Sequence, residues 1–318
     1  MDDRYKPLDP SGIKTSSIKD RPAKVDNGRF GTACRPGMSV KEWARSLPRI
    51  LAARDLREVA RATAEARHSD RPFLLAMGAH VIKVGLSPLI IDLMEKNIVT
   101  GLVLNGACLV HDFEIAACGN TSEDVAEALD DGSFGMTHET AEFLNEAAQR
   151  CASEDIGLGR AAGEALLSAD LAFKELSLLS AAARLGVPAT VHVALGTDII
   201  HMHPSADGAS IGKGSHHDFL VLARLVSGLS GGVYLNLGSA VVLPEVFLKA
   251  LSLARNLGHE VRFFTTVNMD FIQHYRPGVN VVDRPVRTGG RGYKLTGHHE
   301  VMFPLLAALI EDEHQELF

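Results

Sequence analysis

Apolar positions in this chain gather in short unbroken runs, separated by stretches of helical period. The clearest case lies between residues 73 and 119. Phe73 to Met77 is an apolar run that stops at Gly78, and Leu102 to Leu104 is a second that stops at Asn105-Gly106. Runs of this length without alternation fit strands buried on both faces. Between them, Ser87-Pro88 predicts a helix start over 88–96, with Leu89, Ile90, Leu93 and Met94 facing inward. Serine can cap a helix, and proline in its first turn gives up no needed N–H. A further helical pattern follows His111-Asp112. Strand, glycine, helix, strand, glycine, helix is the unit from which open parallel sheets are built.

The alternation continues. Ala189 to Leu195 is rich in β-branched residues and ends at Gly196. Val233 to Leu237 ends at Gly238-Ser239, and Val261 to Val267 ends at Asn268-Met269-Asp270. Helices are expected over 51–67, 137–151 with Thr137 as cap, 166–185 closed by Gly186, 218–227, 243–257 closed by Gly258, and 301–315. Ser39 and Glu42 have the spacing of a capping box. Residues 203–217 and 272–299 read as loops. Five strand-like runs with intervening helices predict a single doubly wound, mostly parallel α/β sheet of Rossmann-like type, spanning 38–318. Residues 1–37 are polar, carry Pro7, Pro10, Pro22 and Pro36, and read as an N-terminal arm.

Composition narrows the function classes. A chain of 318 residues that is 46% hydrophobic can bury a large core. The net charge of −7 and the pI near 6.0 argue against a general nucleic-acid binder. No apolar stretch reaches the roughly 18 residues that a membrane span needs. The opening residues lack the basic and apolar regions of a signal peptide. Cys34, Cys108, Cys118 and Cys151 show no C-x-x-C spacing and read as reduced thiols of a cytoplasmic protein.

In an open parallel sheet, ligands sit beyond the carboxyl ends of the strands. That singles out Gly78-Ala79-His80, Asn105-Gly106, Gly238-Ser239 and Asn268 to Asp270 as a candidate nucleotide site. Gly106 lets the backbone approach a phosphate at the start of a helix, with His111 and Asp112 close behind. Asp112 has a second reading, as a carboxylate that complements the helix dipole. Thr197, Asp198, His201 and His203 also follow a strand end. Histidine moves protons near neutral pH, and a neighbouring carboxylate tunes it. On an extended segment His201 and His203 face the same side, which also suits a metal, with Asp198 or Asp207 as third ligand. A late basic segment, Arg276, Arg284, Arg287, Arg291 and Lys294 with His298-His299-Glu300, reads either as an anion clamp or as a solvated loop. His216-His217-Asp218 reads as a helix start. No G-x-G-x-x-G fingerprint is present.

The order of elements over roughly residues 70–310 resembles deoxyhypusine synthase. The family's V-x-V-x-T-x-A-G-G-x-E-E-D is similar to the run from Leu102-Val103-Leu104-Asn105-Gly106 to His111-Asp112. Its T-D-G-S resembles Thr197-Asp198-Ile199-Ile200, and its L-G-G-G-V-V-K-H-H resembles Leu237-Gly238-Ser239-Ala240-Val241-Val242-Leu243-Pro244-Glu245. Its N-T-A-Q-E-F resembles Thr266-Val267-Asn268-Met269-Asp270-Phe271. Its V-F-P-L-L resembles Val301-Met302-Phe303-Pro304-Leu305-Leu306 with one residue inserted.

The resemblance implies an NAD-binding Rossmann-like enzyme, a homotetramer with sites at subunit interfaces, acting on a polyamine or another amine-containing small molecule. In that family a lysine in a W-G-K run takes up the aminobutyl group as an imine. Here the region reads Val281-Val282-Asp283-Arg284-Pro285-Val286-Arg287, with no lysine. Arginine and proline offer no nucleophilic primary amine, so the family's imine step is not expected. Two other classes stay open: a metal-dependent hydrolase or lyase using His201, His203 and Asp207, and a non-catalytic dinucleotide-binding protein.

Overall fold

The computed structural model describes residues 3–317, so the first two residues of the arm and Phe318 lie outside the described residues. Six strands form one sheet: β1 (Phe73–Met77), β2 (Gly101–Asn105), β3 (Ala189–His192), β4 (Val233–Leu237), β5 (Thr265–Asp270) and β6 (Arg291–Thr296). Every pairing is parallel, and the order is β3-β2-β1-β4-β5-β6. The chain winds outward from β1 to β3, then returns to the other side of β1 to lay down β4. The winding therefore reverses between β1 and β4, the place where open α/β sheets usually take their ligands.

Both faces of the sheet are covered, which explains the unbroken apolar runs. Phe73, Leu75 and Met77 of β1 enter a core shared with the helices Leu51–His68, Ser87–Glu95, Gly106–Cys118 and His299–Leu317. Leu74 and Ala76 point the other way, into a second core with the helices Gly208–Ser227 and Val242–Asn256. Pleating sends alternate residues to opposite faces, and each face meets its own helices.

The structure departs from the sequence reading in identifiable places. The sheet has six strands, because β6 lies within the stretch read as loop. It is an edge strand, burying Tyr293 and Leu295 while Arg291, Lys294 and Thr296 stay exposed, so it shows no continuous apolar run. The expected 166–185 helix is two helices, Leu158–Ser168 and Leu178–Leu185, the second capped by Ser177. Residues 208–217, read as loop, are the first half of the helix Gly208–Ser227, capped by Asp207. Its glycines hid it. Gly214 is needed there, since a Cβ would meet Cys151 Sγ at 2.7 Å where two helices cross. Ser87 is the first helical residue and makes no side-chain cap, whereas the Ser39–Glu42 capping box forms as expected.

Residues 3–37 hold three single 3-10 turns, and none of them is buried. Backbone bonds from Thr32 N to Ser46 O (2.8 Å) and from Arg49 N to Arg29 O (2.9 Å) tie their end to the body. Among the described residues no helix is long and apolar enough to cross a membrane.

Candidate active site

Two regions at the carboxyl edge of the sheet carry the candidate residues. One is a cleft of about 710 Å³ walled by the helix Gly106–Cys118, the segment 120–140 and Thr197-Asp198-Ile199. Its ionisable lining is mostly acidic: Glu114, Glu123, Glu139 and Asp198, with His111, against a single lysine, Lys83. Asp198 is held against the start of that helix. A Cβ on Gly106 would fall 1.9 Å from Asp198 Oδ2, so glycine is what lets the carboxylate sit there. The sequence reserves this helix N-terminus for a phosphate, but the protein's own carboxylate already takes the place. Asn105 closes the same end, its Oδ1 accepting from Cys108 N at 3.2 Å. Burial raises the Asp198 carboxyl above the ordinary range, and nearby His201 opposes this.

His111 is oriented by a short chain of hydrogen bonds. Thr121 Oγ1 donates to Glu114 Oε2, so the 2.7 Å contact to His111 Nδ1 has the imidazole donating. This leaves Nε2 as an acceptor. Burial, helped by the charge of Lys83, pushes His111 down to about 4, and the ring is neutral at physiological pH. A neutral imidazole and several carboxylates form an acceptor-rich lining suited to a small cation.

The second region is the junction just beyond the ends of β1 and β4. Gly78 N donates to Leu237 O and Gly238 N to Met269 O, both at 3.0 Å, which carries the sheet's bonding one residue past the strand ends. A Cβ on Gly78 would meet Gly238 O at 2.5 Å. Gly238 has φ +67, and a Cβ there would lie 2.5 Å from His299 Cε1. Both glycines are thus explained by close backbone and ring packing. Beneath them runs a buried amide chain: Asn236 Nδ2 to Asn268 Oδ1 (2.8 Å), Asn268 Nδ2 to Gln273 Oε1 (2.8 Å), and Gln273 Nε2 to Leu295 O (3.1 Å). Ser239 is buried, and its carbonyl accepts from Asn236.

His299 is the unusual group here. It is 1% exposed, with Nε2 at 3.4 Å from Asp270 Oδ1, yet neither ring nitrogen makes a hydrogen bond among the described residues. His80 stands edge-on to it at 5.5 Å between ring centres, and Phe271 packs against both rings. A buried donor and acceptor left unused is costly, by about 1–3 kcal/mol per group, and marks a place where a ligand's polar atoms can be met.

The structure thus brings Gly78, His80, Gly238, Ser239, Asn268 and Asp270 to the junction beyond β1 and β4, and Asn105, Gly106, His111, Thr197 and Asp198 to the cleft or its wall. It leaves three candidates elsewhere. Asp112 is fully buried, and its oxygens accept from Ser177 Oγ (2.7 Å), Leu178 N (2.7 Å) and Leu179 N (3.1 Å). It fastens the helix Leu178–Leu185 to the core rather than facing a ligand. His201 Nδ1 accepts from Gly196 N (3.1 Å) and Asp198 N (3.2 Å), so its proton lies on Nε2, 3.9 Å from Asp198 Oδ2. It pins the loop. The segment Ile199–Met202 is a 3-10 turn, not extended, so His201 and His203 do not share a face.

Asp207 caps the helix Gly208–Ser227, and His201, His203 and Asp207 do not assemble as a metal set. Most of the late cations find local partners: Arg276 meets Glu245, Arg284 Asn280 and Lys294 Asp283. Asp218 is not a first-turn carboxylate but lies mid-helix, bonding Gly159 N and Val191 N, each at 2.8 Å.

The sequence reading passed over Lys83, Glu114 and Glu139 in the cleft. Only Glu114 left a signal, three residues after His111 on one helix face. It also passed over His192, buried at the tip of β3 and 3.0 Å from Thr190 Oγ1. Burial pushes His192 down to about 4. A folded-state value below the ordinary 6.5 means its contribution to stability is present above that pH and fades as pH falls toward about 4. Between pH 7 and pH 5 the wild type should lose about 2 kcal/mol relative to His192→Gln in urea titrations. Parallel pH profiles would show that the imidazole is not held neutral.

The strand order, with its reversal between β1 and β4, defines a doubly wound, all-parallel α/β architecture. More narrowly, the fold is that of deoxyhypusine synthase. A candidate deoxyhypusine synthase from Entamoeba histolytica superposes with a TM-score of 0.52 at 13% identity, covering 88% of this chain and 95% of that one. ArgZ, a cyanobacterial arginine dihydrolase of the ornithine-ammonia cycle, superposes at 0.51 with 16% identity, covering 84% of this chain and 33% of that one. AgrE, solved with ornithine and NAD+, gives 0.50 at 12% identity, with 86% and 35% covered. The chain therefore spans about a third of the length of ArgZ and AgrE. No family model and no curated protein matches the sequence.

Proposed function

We propose that this protein is a deoxyhypusine-synthase-like enzyme that binds NAD at the junction beyond β1 and β4 and a small cationic amine in the cleft. The observation that carries the reading is the pairing of an acid-lined cleft with a winding reversal whose strand-end junction holds the unsatisfied His299. Asp198 and Glu114 would hold the ammonium group, with His111 Nε2 accepting a third hydrogen bond. Gly78, His80, Gly238, Ser239, Asn268 and Asp270 would contact the dinucleotide, and His299 would supply its unused ring nitrogens. NAD would supply a hydride acceptor. The fold shared with AgrE, which was solved with ornithine and NAD+, supports the same pairing of ligands.

Transfer through a lysine imine at the family's position is not part of the proposal, because residues 281–287 carry no lysine. A homotetramer is expected from the resemblance to deoxyhypusine synthase and a cytoplasmic setting from the cysteine spacing, and native mass spectrometry addresses the first. Calorimetric titration with NAD+ should give stoichiometric binding that His80→Ala, a change at an exposed side chain, weakens about tenfold or more. Titration with spermidine, ornithine and arginine should find a ligand that Asp198→Asn weakens about tenfold or more. Heat for neither class of ligand would overturn the proposal. Binding of NAD+ with no turnover across the amines would leave a dinucleotide-binding protein without catalysis.

A further inference from the structure

A different group of residues comes together at the rim of the cleft. His138 and Glu142 stand one turn apart on the helix His138–Glu154, with His138 Nε2 at 3.2 Å from Glu142 Oε2. His203, just past the 3-10 turn Ile199–Met202, packs edge-on to His138 with ring centres 6.3 Å apart. One ligand atom from each of the three lies within 4.8 Å of the others, the only such group among the described residues. We propose that His138, Glu142 and His203 bind a divalent transition metal, with zinc the best match.

The chemistry supports the assignment. Two imidazoles and a carboxylate form a borderline nitrogen and oxygen set, the kind that zinc takes with a fourth position open to water. Ligands about 2.0–2.1 Å from a shared ion sit roughly 3.3 Å apart, so modest side-chain rotation closes the group. His138 and Glu142 are exposed and free to make that rotation. His203 is already oriented. Its Nδ1 accepts from Ser205 N at 3.2 Å and lies 2.8 Å from Ser205 Oγ, so a metal taken on Nε2 would displace the ring proton to Nδ1, where Ser205 Oγ would accept it. Ser205 Oγ is in turn held by Asn145 Nδ2 at 3.0 Å, on the same helix as His138 and Glu142. Asn145 also donates to Ile200 O at 3.1 Å, so the helix and the turn are fixed relative to each other before any ion arrives.

The ion would join the helix to the turn. Thr137, Glu139 and Thr140 on one side and Ile199 on the other line the cleft, so the site would brace two of its walls.

The test uses untagged full-length protein, stripped with a chelator and titrated with zinc or cobalt. The chain has 14 histidines, so binding alone does not locate the ion. The expected result is one equivalent bound per chain, a visible cobalt spectrum, and loss of both in His138→Ala, Glu142→Gln and His203→Ala. Ser205→Ala should weaken binding about 10–100-fold by releasing His203. His138 and Glu142 are surface residues, and circular dichroism of their variants confirms an intact fold. Absence of stoichiometric binding overturns the proposal, as does binding that survives in His138→Ala and Glu142→Gln. The outcome is independent of whether NAD or an amine binds.

Discussion

Alanine at Gly106 should destabilise the protein by about 1–3 kcal/mol and weaken cleft amine binding tenfold or more, although glycine-to-alanine changes in helices usually stabilise by about 1 kcal/mol. The cause is local, because the new Cβ would fall 1.9 Å from Asp198 Oδ2. Either the carboxylate swings out of the cleft wall or the helix start shifts. Double-mutant analysis separates this from a general packing defect. In an Asp198→Ala background the obstacle is gone, and Gly106→Ala should become neutral or mildly stabilising. Urea titrations of the four proteins check the sign reversal. An equal cost in both backgrounds would mean that Asp198 does not rest on Gly106.

Asp112→Ala should cost about 3–5 kcal/mol, the largest loss expected from a single carboxylate here. Three donors, Ser177 Oγ, Leu178 N and Leu179 N, lose their acceptor at once in a buried setting. The same substitution should leave NAD+ and amine affinity within about twofold when measured below the melting temperature, because the group faces the core. Calorimetric scanning and ligand titration on one preparation decide the matter. A variant of unchanged stability that cannot bind NAD+ would restore Asp112 to the cofactor site.

These two residues also show what could be read from the chain. The sheet was legible because β1, β2 and β4 are sealed on both faces, and complete burial leaves an apolar signature of its own. Strand-end glycines then located the β1–β4 junction and the cleft wall. The edge strand β6 escaped because one of its faces meets solvent, and the helix Gly208–Ser227 escaped because close helix crossing demanded the glycines that mimic a loop. Asp112 and Asp198 look alike in sequence, each an acid near a strand end. Burial separates them, and burial depends on residues some 65 to 90 positions distant, Ser177 for one and Gly106 for the other. The cleft's acidity was harder still to see, since Glu114, Glu139 and Asp198 converge only once the chain has folded back over β2 and β3.

The single helical turn His80–Lys83 spans both regions, His80 packing on Phe271 and His299 and Lys83 lining the acidic wall. If the two proposed ligands bind there, a shift of this turn caused by one would reach the other, and thermodynamic reciprocity would require the influence to run back with equal strength. Order of addition would then not matter at equilibrium: each occupant should change the other's affinity by one common factor.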